Sequence, residues 1–189
     1  MSRHASTLGK QPGGSDDTLR VYFALWPPAA VAQALAAWQR VLHATLGGRM
    51  LRADRLHLTL AFIGEIPAAR LPALLDIGAQ IRGRRSCLHL NEAGAWRHNR
   101  IAWAGTRTVP AELARLAGDL GASLGAGGFA VERRPFVPHV TLLRNVERCA
   151  PVPGGLADID WPLSELCLLR SRLEAQGARY ERLAAWPLD

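Results

Sequence analysis

Lysine is almost missing from this chain of 189 residues. Lys10 is the only one, so the 23 basic side chains are otherwise arginines. Chemistry through a covalent lysyl-nucleotide would have Lys10 alone to use, in a stretch with no hydrophobic periodicity. Cysteine is scarce as well. Cys87, Cys149 and Cys167 are odd in number, widely spaced and form no CxxC pair. They imply no disulfide framework and read as reduced thiols of a cytoplasmic protein. No apolar run approaches the roughly 18–20 residues that span a bilayer. Met1 to Arg20 is polar and lacks the apolar segment of a signal peptide. Neither GxGxxG nor a P-loop sequence occurs, which leaves a dinucleotide or nucleoside-triphosphate fold without support.

What is present is ordinary for a folded chain: 49% hydrophobic and 21% charged residues. The length suits one large domain or two small lobes sharing a core. The net charge of +7 points to an anionic partner without naming it.

Residues 1–18 contain Ser, Gly, Pro and Asp without periodicity and predict a flexible tail. Arg20 to Trp26 reads as a strand stopped by Pro27-Pro28. A helix follows to about His43, with Val31, Leu35, Trp38 and Leu42 at helical spacing, and Gly47-Gly48 ends it. Leu56 to Ile63 is a second strand, and Pro67 opens a second helix to about Arg82. Cys87 to Trp96 and Arg100 to Ala104 predict two strands in a hairpin or meander. Pro110 starts a third helix carrying Leu113, Leu116 and Leu120. His139 to Arg144 is again strand-like. After a loop from Pro151 to Gly155, two strands are predicted at about Ser164 to Glu174 and Tyr180 to Trp186, turning at Gln176-Gly177. Strands and helices interleave without strict alternation, so the class is α+β or mixed α/β and not a doubly wound sheet.

One tetrad occurs twice. His57-Leu58-Thr59-Leu60 and His139-Val140-Thr141-Leu142 lie 82 positions apart, both inside strand-like runs. In a strand, His and Thr then share one face and their apolar neighbours the other. Six His and seven Thr among 189 positions give about 0.2 chance occurrences of His-x-Thr. A lone strand histidine is ordinarily a satisfied core residue; a matched pair in two halves of a chain reads as one shared site. Two imidazoles can give and take protons near neutral pH, and hydroxyls can donate to phosphate oxygens. The set suits in-line attack at phosphorus, with one His activating water and the other protonating the leaving oxygen. No acidic ligand accompanies either tetrad, and two His alone make a poor zinc site. No metal or cofactor is expected.

These tetrads resemble the signature of the 2H phosphoesterase superfamily. The surrounding residues are similar to the RNA 2′,3′-cyclic phosphodiesterases, also called 2′-5′ RNA ligases. The similar stretches are Arg20 to Pro28, Leu56 to Glu65, Arg100 to Gly105 and Phe136 to Arg144, with the ending from Leu169 to Leu188. The resemblance implies an α+β bilobal fold over residues 19–189, with two pseudo-symmetric antiparallel-sheet lobes, outer helices and a central groove. It implies His57 as proton donor, His139 as proton acceptor, and Thr59 and Thr141 on phosphate oxygens. The near-equivalence of the two tetrads does not itself choose which His is the acid. The substrate implied is RNA ending in a 2′,3′-cyclic phosphate, tRNA halves among the candidates, and the product a 2′-phosphomonoester. Reversible 2′-5′ ligation belongs to the same expectation.

Arg144, five residues after His139, is a candidate phosphate cation. Arg133-Arg134 could touch RNA backbone, against the alternative of a solvated loop. Phe23, Phe136 and Trp103 could stack on a base, against the alternative of core packing; Phe136, beside the second tetrad, is the first choice. His4, His43, His89 and His98 have no Thr partner, and His98 falls in a basic turn read as a solvated hairpin tip. A non-catalytic RNA-end binding module, or a phosphodiesterase acting on 2′-5′ oligonucleotides or small cyclic nucleotide phosphates, would share the groove. Turnover separates the module from an enzyme. No membrane association is expected, and a monomer is the default.

Overall fold

The computed structural model describes residues 18–189 except Arg133, Cys149 and residues 175–176. Residues 1–17 of the expected tail with Lys10, the Arg133 part of the basic loop, the Cys149 thiol and Gln176 of the last turn lie outside the described residues, whereas Thr18, expected to end the tail, begins β1 and pairs with Pro67. In chain order the elements are β1 (Thr18–Leu25), α1 (Ala29–Leu46), β2 (Arg49–Met50), β3 (Leu58–Pro67), α2 (Leu71–Gln80), β4 (Ser86–Leu90), β5 (Glu92–Trp96), β6 (Ile101–Gly105), α3 (Ala111–Ala126), β7 (His139–Arg144), β8 (Ile159–Leu163), β9 (Glu165–Glu174) and β10 (Gly177–Pro187). Short 3-10 turns occupy Ala53–Arg55 and Ala68–Arg70. None of the described helices is long and apolar enough to cross a membrane.

Local chemistry explains the main boundaries. Pro28 and Pro110 hold extended backbone immediately before α1 and α3, where a missing N–H costs nothing. Gly47, at φ 66°, ends α1 and donates its N–H to the His43 carbonyl at 2.8 Å. Several expectations change. β2 adds a short strand at Arg49–Met50, and Pro67, expected to open the second helix, ends β3, so that α2 begins at Leu71. The predicted strand Cys87 to Trp96 is broken at Asn91 into β4 and β5, which belong to different sheets. β8 falls where no strand was expected: Ile159, Trp161 and Leu163 alternate as buried residues, but Asp160 and Pro162 between them are weak strand formers.

The main sheet runs β10-β9-β1-β3-β7-β6-β5, with β2 added beside β7. It is two lobes joined at a narrow seam. Long antiparallel ladders join β1 to β3 and β6 to β7, whereas β3 and β7 meet at the single pair Leu58↔Val140. The helices cross that seam. α1, which connects β1 to β3, packs on β6 and β7 of the other lobe and on β8. α3, which connects β6 to β7, packs on β3 and against α2, and α2 covers β9 and β10.

A shift of 82 residues relates the lobes. It carries His57 onto His139, Pro28 onto Pro110 and the start of α1 onto the start of α3. It also carries the buried stripe Val31, Leu35, Trp38 and Leu42 onto Leu113, Ala117, Leu120 and Leu124, which are buried as well. One contiguous hydrophobic core includes both stripes and the buried faces of both lobes.

Candidate active site

The two tetrads meet at the seam. Leu58 and Val140, their middle residues, are the ladder pair that joins the lobes. Antiparallel pairing about that point turns His57 toward the Thr141 side and Thr59 toward the His139 side. Leu58 and Val140 are fully buried, while His57, Thr59, His139 and Thr141 are half-buried on the opposite face. No hydrogen bond to another described residue engages either threonine hydroxyl.

Each imidazole is held in the same way. His57 Nδ1 lies 2.8 Å from the Arg55 carbonyl, and His139 Nδ1 lies 2.8 Å from the Val137 carbonyl, in both cases two residues earlier in the chain. A carbonyl only accepts, so Nδ1 carries the proton and donates. The neutral ring then keeps an unprotonated Nε2 for proton exchange. Aromatic rings surround both. Trp26 stacks on His57 with centroids 5.4 Å apart and planes 5° apart, and Tyr22 and Tyr180 approach the same ring at 5.0 and 5.2 Å. Trp96 meets His139 edge-on at 4.7 Å, backed by Trp103, whose centroid is 5.3 Å from that of Trp96. Among the described residues, the Tyr22 hydroxyl and Trp103 Nε1, both in these aromatic shells, are buried without a hydrogen-bond partner.

These shells depress both pKa values. Burial is the main cause at His57, and the charges of Arg144 and His139 add to it, holding the ring at about 4 against an ordinary 6.5. Burial also lowers His139, opposed by the Val137 carbonyl and the Glu132 carboxylate, which favour the imidazolium. Burial and its neighbours push the Tyr22 phenol well above its usual range. In the free protein at neutral pH both histidines are therefore uncharged.

A backbone irregularity falls at the last residue of each tetrad. In the β1–β3 ladder Leu60 is skipped between the pairs Ala24↔Thr59 and Phe23↔Ala61, and in the β6–β7 ladder Leu142 is skipped between Trp103↔Thr141 and Ala102↔Leu143. A bulge adds one residue and reverses the alternation beyond it. Residues five positions after each histidine thereby return to the His/Thr face: Phe62 in one lobe and Arg144 in the other. Arg144 pairs with Ile101, which shares the face of Trp103 and Thr141. The Leu142 bulge is fastened from behind, since its carbonyl accepts from Gln39 Nε2 at 2.7 Å and from the Leu51 N–H at 3.1 Å. Gln39 is the buried polar residue of α1 and also donates to the Leu51 carbonyl at 2.8 Å.

An open groove of about 660 Å³ runs beside the seam. Thr59, Phe62, Trp96, Phe136, Val137 and His139 are among its walls. His57, Thr141 and Arg144 are not, and are tied to it through the ladder pair and the electrostatic reach of Arg144 and His139 to His57. Arg134 also lines the groove and is ion-paired with Glu132. Phe136 is half-buried there. Phe23 is core, and the half-buried Trp103 lies behind Trp96. His98 lines the groove and stacks on Trp96 at 6.3 Å, so the tip read as merely solvated is part of the wall.

Sequence reasoning missed Phe62 as a surface group, together with the rings around the histidines. Phe62 is 46% exposed, with the Arg20 guanidinium 5.2 Å from its ring centre. The signal available was its place five residues after His57, matching Arg144 after His139.

The model of the LigT-like phosphoesterase family matches residues 25–103 and 105–180, each segment holding one tetrad. The RNA 2′,3′-cyclic phosphodiesterase of Escherichia coli is 34% identical over 169 residues, 89% of this chain and 96% of its own. That of Thermus thermophilus is 30% identical over 184 residues, 90% of each chain. The crystal structure of E. coli LigT complexed with 3′-AMP superposes with a TM-score of 0.81 at 34% identity, covering 91% of this chain and 99% of that one.

Proposed function

Because the chain belongs to the LigT-like phosphoesterase family, we propose that it opens 2′,3′-cyclic phosphates at RNA ends without a metal ion and leaves 2′-phosphomonoesters. The observation that carries the reading is the seam itself, where two imidazoles with matching backbone anchors flank one ladder pair.

The cyclic phosphodiester binds as an anion, its non-bridging oxygens taking hydrogen bonds from Thr59 and Thr141 and charge from Arg144. That negative charge offsets the burial and the Arg144 charge that depress His57, so the ring gains a proton as substrate arrives. His139 accepts a proton from water at Nε2, and the water oxygen attacks phosphorus. The bond from phosphorus to O3′ breaks, and His57 passes its proton to O3′. His57 ends neutral and His139 ends charged, and exchange with solvent resets both. Two differences support this order. The Glu132 carboxylate strengthens His139 as a base, while burial beside Arg144 makes a protonated His57 the stronger acid. With a ribose 5′-hydroxyl in place of water, the same step forms a 2′-5′ linkage.

Phe136 and Phe62 offer faces on which an unpaired base can stack, and Arg134 offers charge to the backbone. We assign the two lobes to one domain that begins with β1 at Thr18, with residues 1–17 outside the chemistry. The protein is proposed to act as a cytoplasmic monomer, tRNA halves being one source of substrate. The free thiols of Cys87 and Cys167 fit a reducing compartment.

The test is product analysis on RNA ending in a 2′,3′-cyclic phosphate, with EDTA present. A 2′-phosphate is expected. His57→Ala, His139→Ala and the double variant should each abolish nearly all turnover, the double little worse than either single. A 3′-phosphate would reverse the histidine roles, and a folded double variant with full activity would remove the proposal.

A further inference from the structure

β4 and β8 form a two-stranded sheet of their own, and its faces differ in kind. Leu88, Leu90, Ile159, Trp161 and Leu163 are buried in the core. Strand alternation turns Cys87, His89 and Asp160 to the other face, where His89 and Asp160 are exposed and Cys87 is half-buried. The register sets His89 opposite Asp160, and Cys87 lies two residues from His89 on the same side. A thiol, an imidazole and a carboxylate thus gather at one place, with one ligand atom of each within 4.8 Å of the other two.

We propose that Cys87, His89 and Asp160 form a binding site for a transition-metal dication of the zinc class, with water as the fourth ligand. Sulfur, nitrogen and oxygen donors together suit such an ion, whereas magnesium and calcium favour oxygen alone. Ligands bound at 2.0–2.3 Å around a tetrahedral ion stand about 3.3–3.8 Å apart, within the observed spread. His89 Nδ1 and Asp160 Oδ1 are closer than that, at 2.5 Å, sharing a hydrogen bond. Their side chains are 61% and 70% exposed, so a carboxylate rotation opens the gap at little cost. Partial burial, and after it the Asp160 carboxylate, hold the Cys87 thiol above its ordinary pKa. A dication reverses that balance: the sulfur–metal bond forms as the S–H bond breaks, and one proton leaves to solvent.

The consequence is mechanical and lies outside the phosphodiester chemistry. No described residue of β4 or β8 is among the groove walls. An ion would clip strands whose ligands are 71 positions apart, and by binding only the folded form would stabilise it.

The experiment uses the reduced, metal-stripped full chain titrated with cobalt(II). The expected result is a one-to-one thiolate-to-cobalt charge-transfer band with tetrahedral visible absorption, displaced by zinc. Cys87→Ser should lose the band. His89→Ala and Asp160→Asn should weaken binding about tenfold or more, and Cys149→Ser should keep both band and affinity. Zinc should raise the Tm of the parent protein and leave that of Cys87→Ser unmoved. All three substitutions fall on a sheet face turned away from the core, and circular dichroism checks the fold. A parent protein with no thiolate band at stoichiometric cobalt, or a band that survives in Cys87→Ser, overturns the site.

Discussion

Acidification should destabilise this protein through His57 in particular. The folded protein holds that ring at about 4, whereas the unfolded chain titrates it near 6.5. As pH falls below 6.5 the unfolded chain takes up the proton first, so stability is lost progressively down to about 4 and is fully present above 6.5. A gap of this size, at about 1.4 kcal/mol per pKa unit, amounts to about 3 kcal/mol, and solvent reaching the half-buried ring reduces it to about 2–3 kcal/mol. His139 and the carboxylates titrate in the same range, so the informative quantity is a difference. Urea unfolding of the parent protein and of His57→Asn would be followed by tryptophan fluorescence at pH 7, 5.5 and 4. The parent should lose about 2–3 kcal/mol relative to the variant across that interval, about 1–2 M in midpoint at a typical urea slope. Saturating sulfate, whose charge is fixed over this range, should shrink the effect by favouring the imidazolium. A stability gap between the two proteins that stays constant from pH 7 to pH 4 would refute the electrostatic account of the site, and with it the argument that substrate charges His57.

Two substitutions test how the site is built. Gln39→Leu removes the side-chain donor to the Leu142 carbonyl and should cost about 1–3 kcal/mol. It should also raise KM for a cyclic phosphate more than it lowers kcat, because Arg144 loses its place while the histidines keep their carbonyl anchors; an unchanged KM would break the link from bulge to cation. Gly94→Ala would set a Cβ 2.2 Å from the Trp103 ring. It should cost about 1–3 kcal/mol and depress activity through Trp96 and His139, with thermal unfolding and turnover as the two readouts.

The catalytic pair was legible because it is written twice and because a strand's period is short. His57, Thr59, His139 and Thr141 needed only alternation to share a face. Arg144 was reached by resemblance and charge, and its route to that face, the skipped residue Leu142, leaves no mark in a local pattern. Phe62 was missed for the same reason on the other side of the seam. The rings around the histidines were not singled out because Tyr22, Trp26 and Trp96 lie in apolar runs, and no sequence window reports that a sheet has two unlike faces. Asn91 stands between two stretches that each read as strand, so the divergence of β4 and β5 into separate sheets is decided by tertiary pairing. His89 was set aside for lacking a threonine neighbour, and its real companion, Asp160, is brought to it by the same pairing.

The crossed placement of α1 and α3 gives the lobes an unusual mutual dependence. Each β–α–β half sends its own helix to cover the other half's strands, so a half taken alone would bare the sheet face its partner's helix covers. The chain is in effect an intramolecular exchange dimer. Two copies of one such unit, trading helices about a twofold axis, would recreate both the core and the facing histidines. Cutting the chain between the lobes should therefore give neither a working half-site nor a folded half, but two fragments that become ordered only in each other's company.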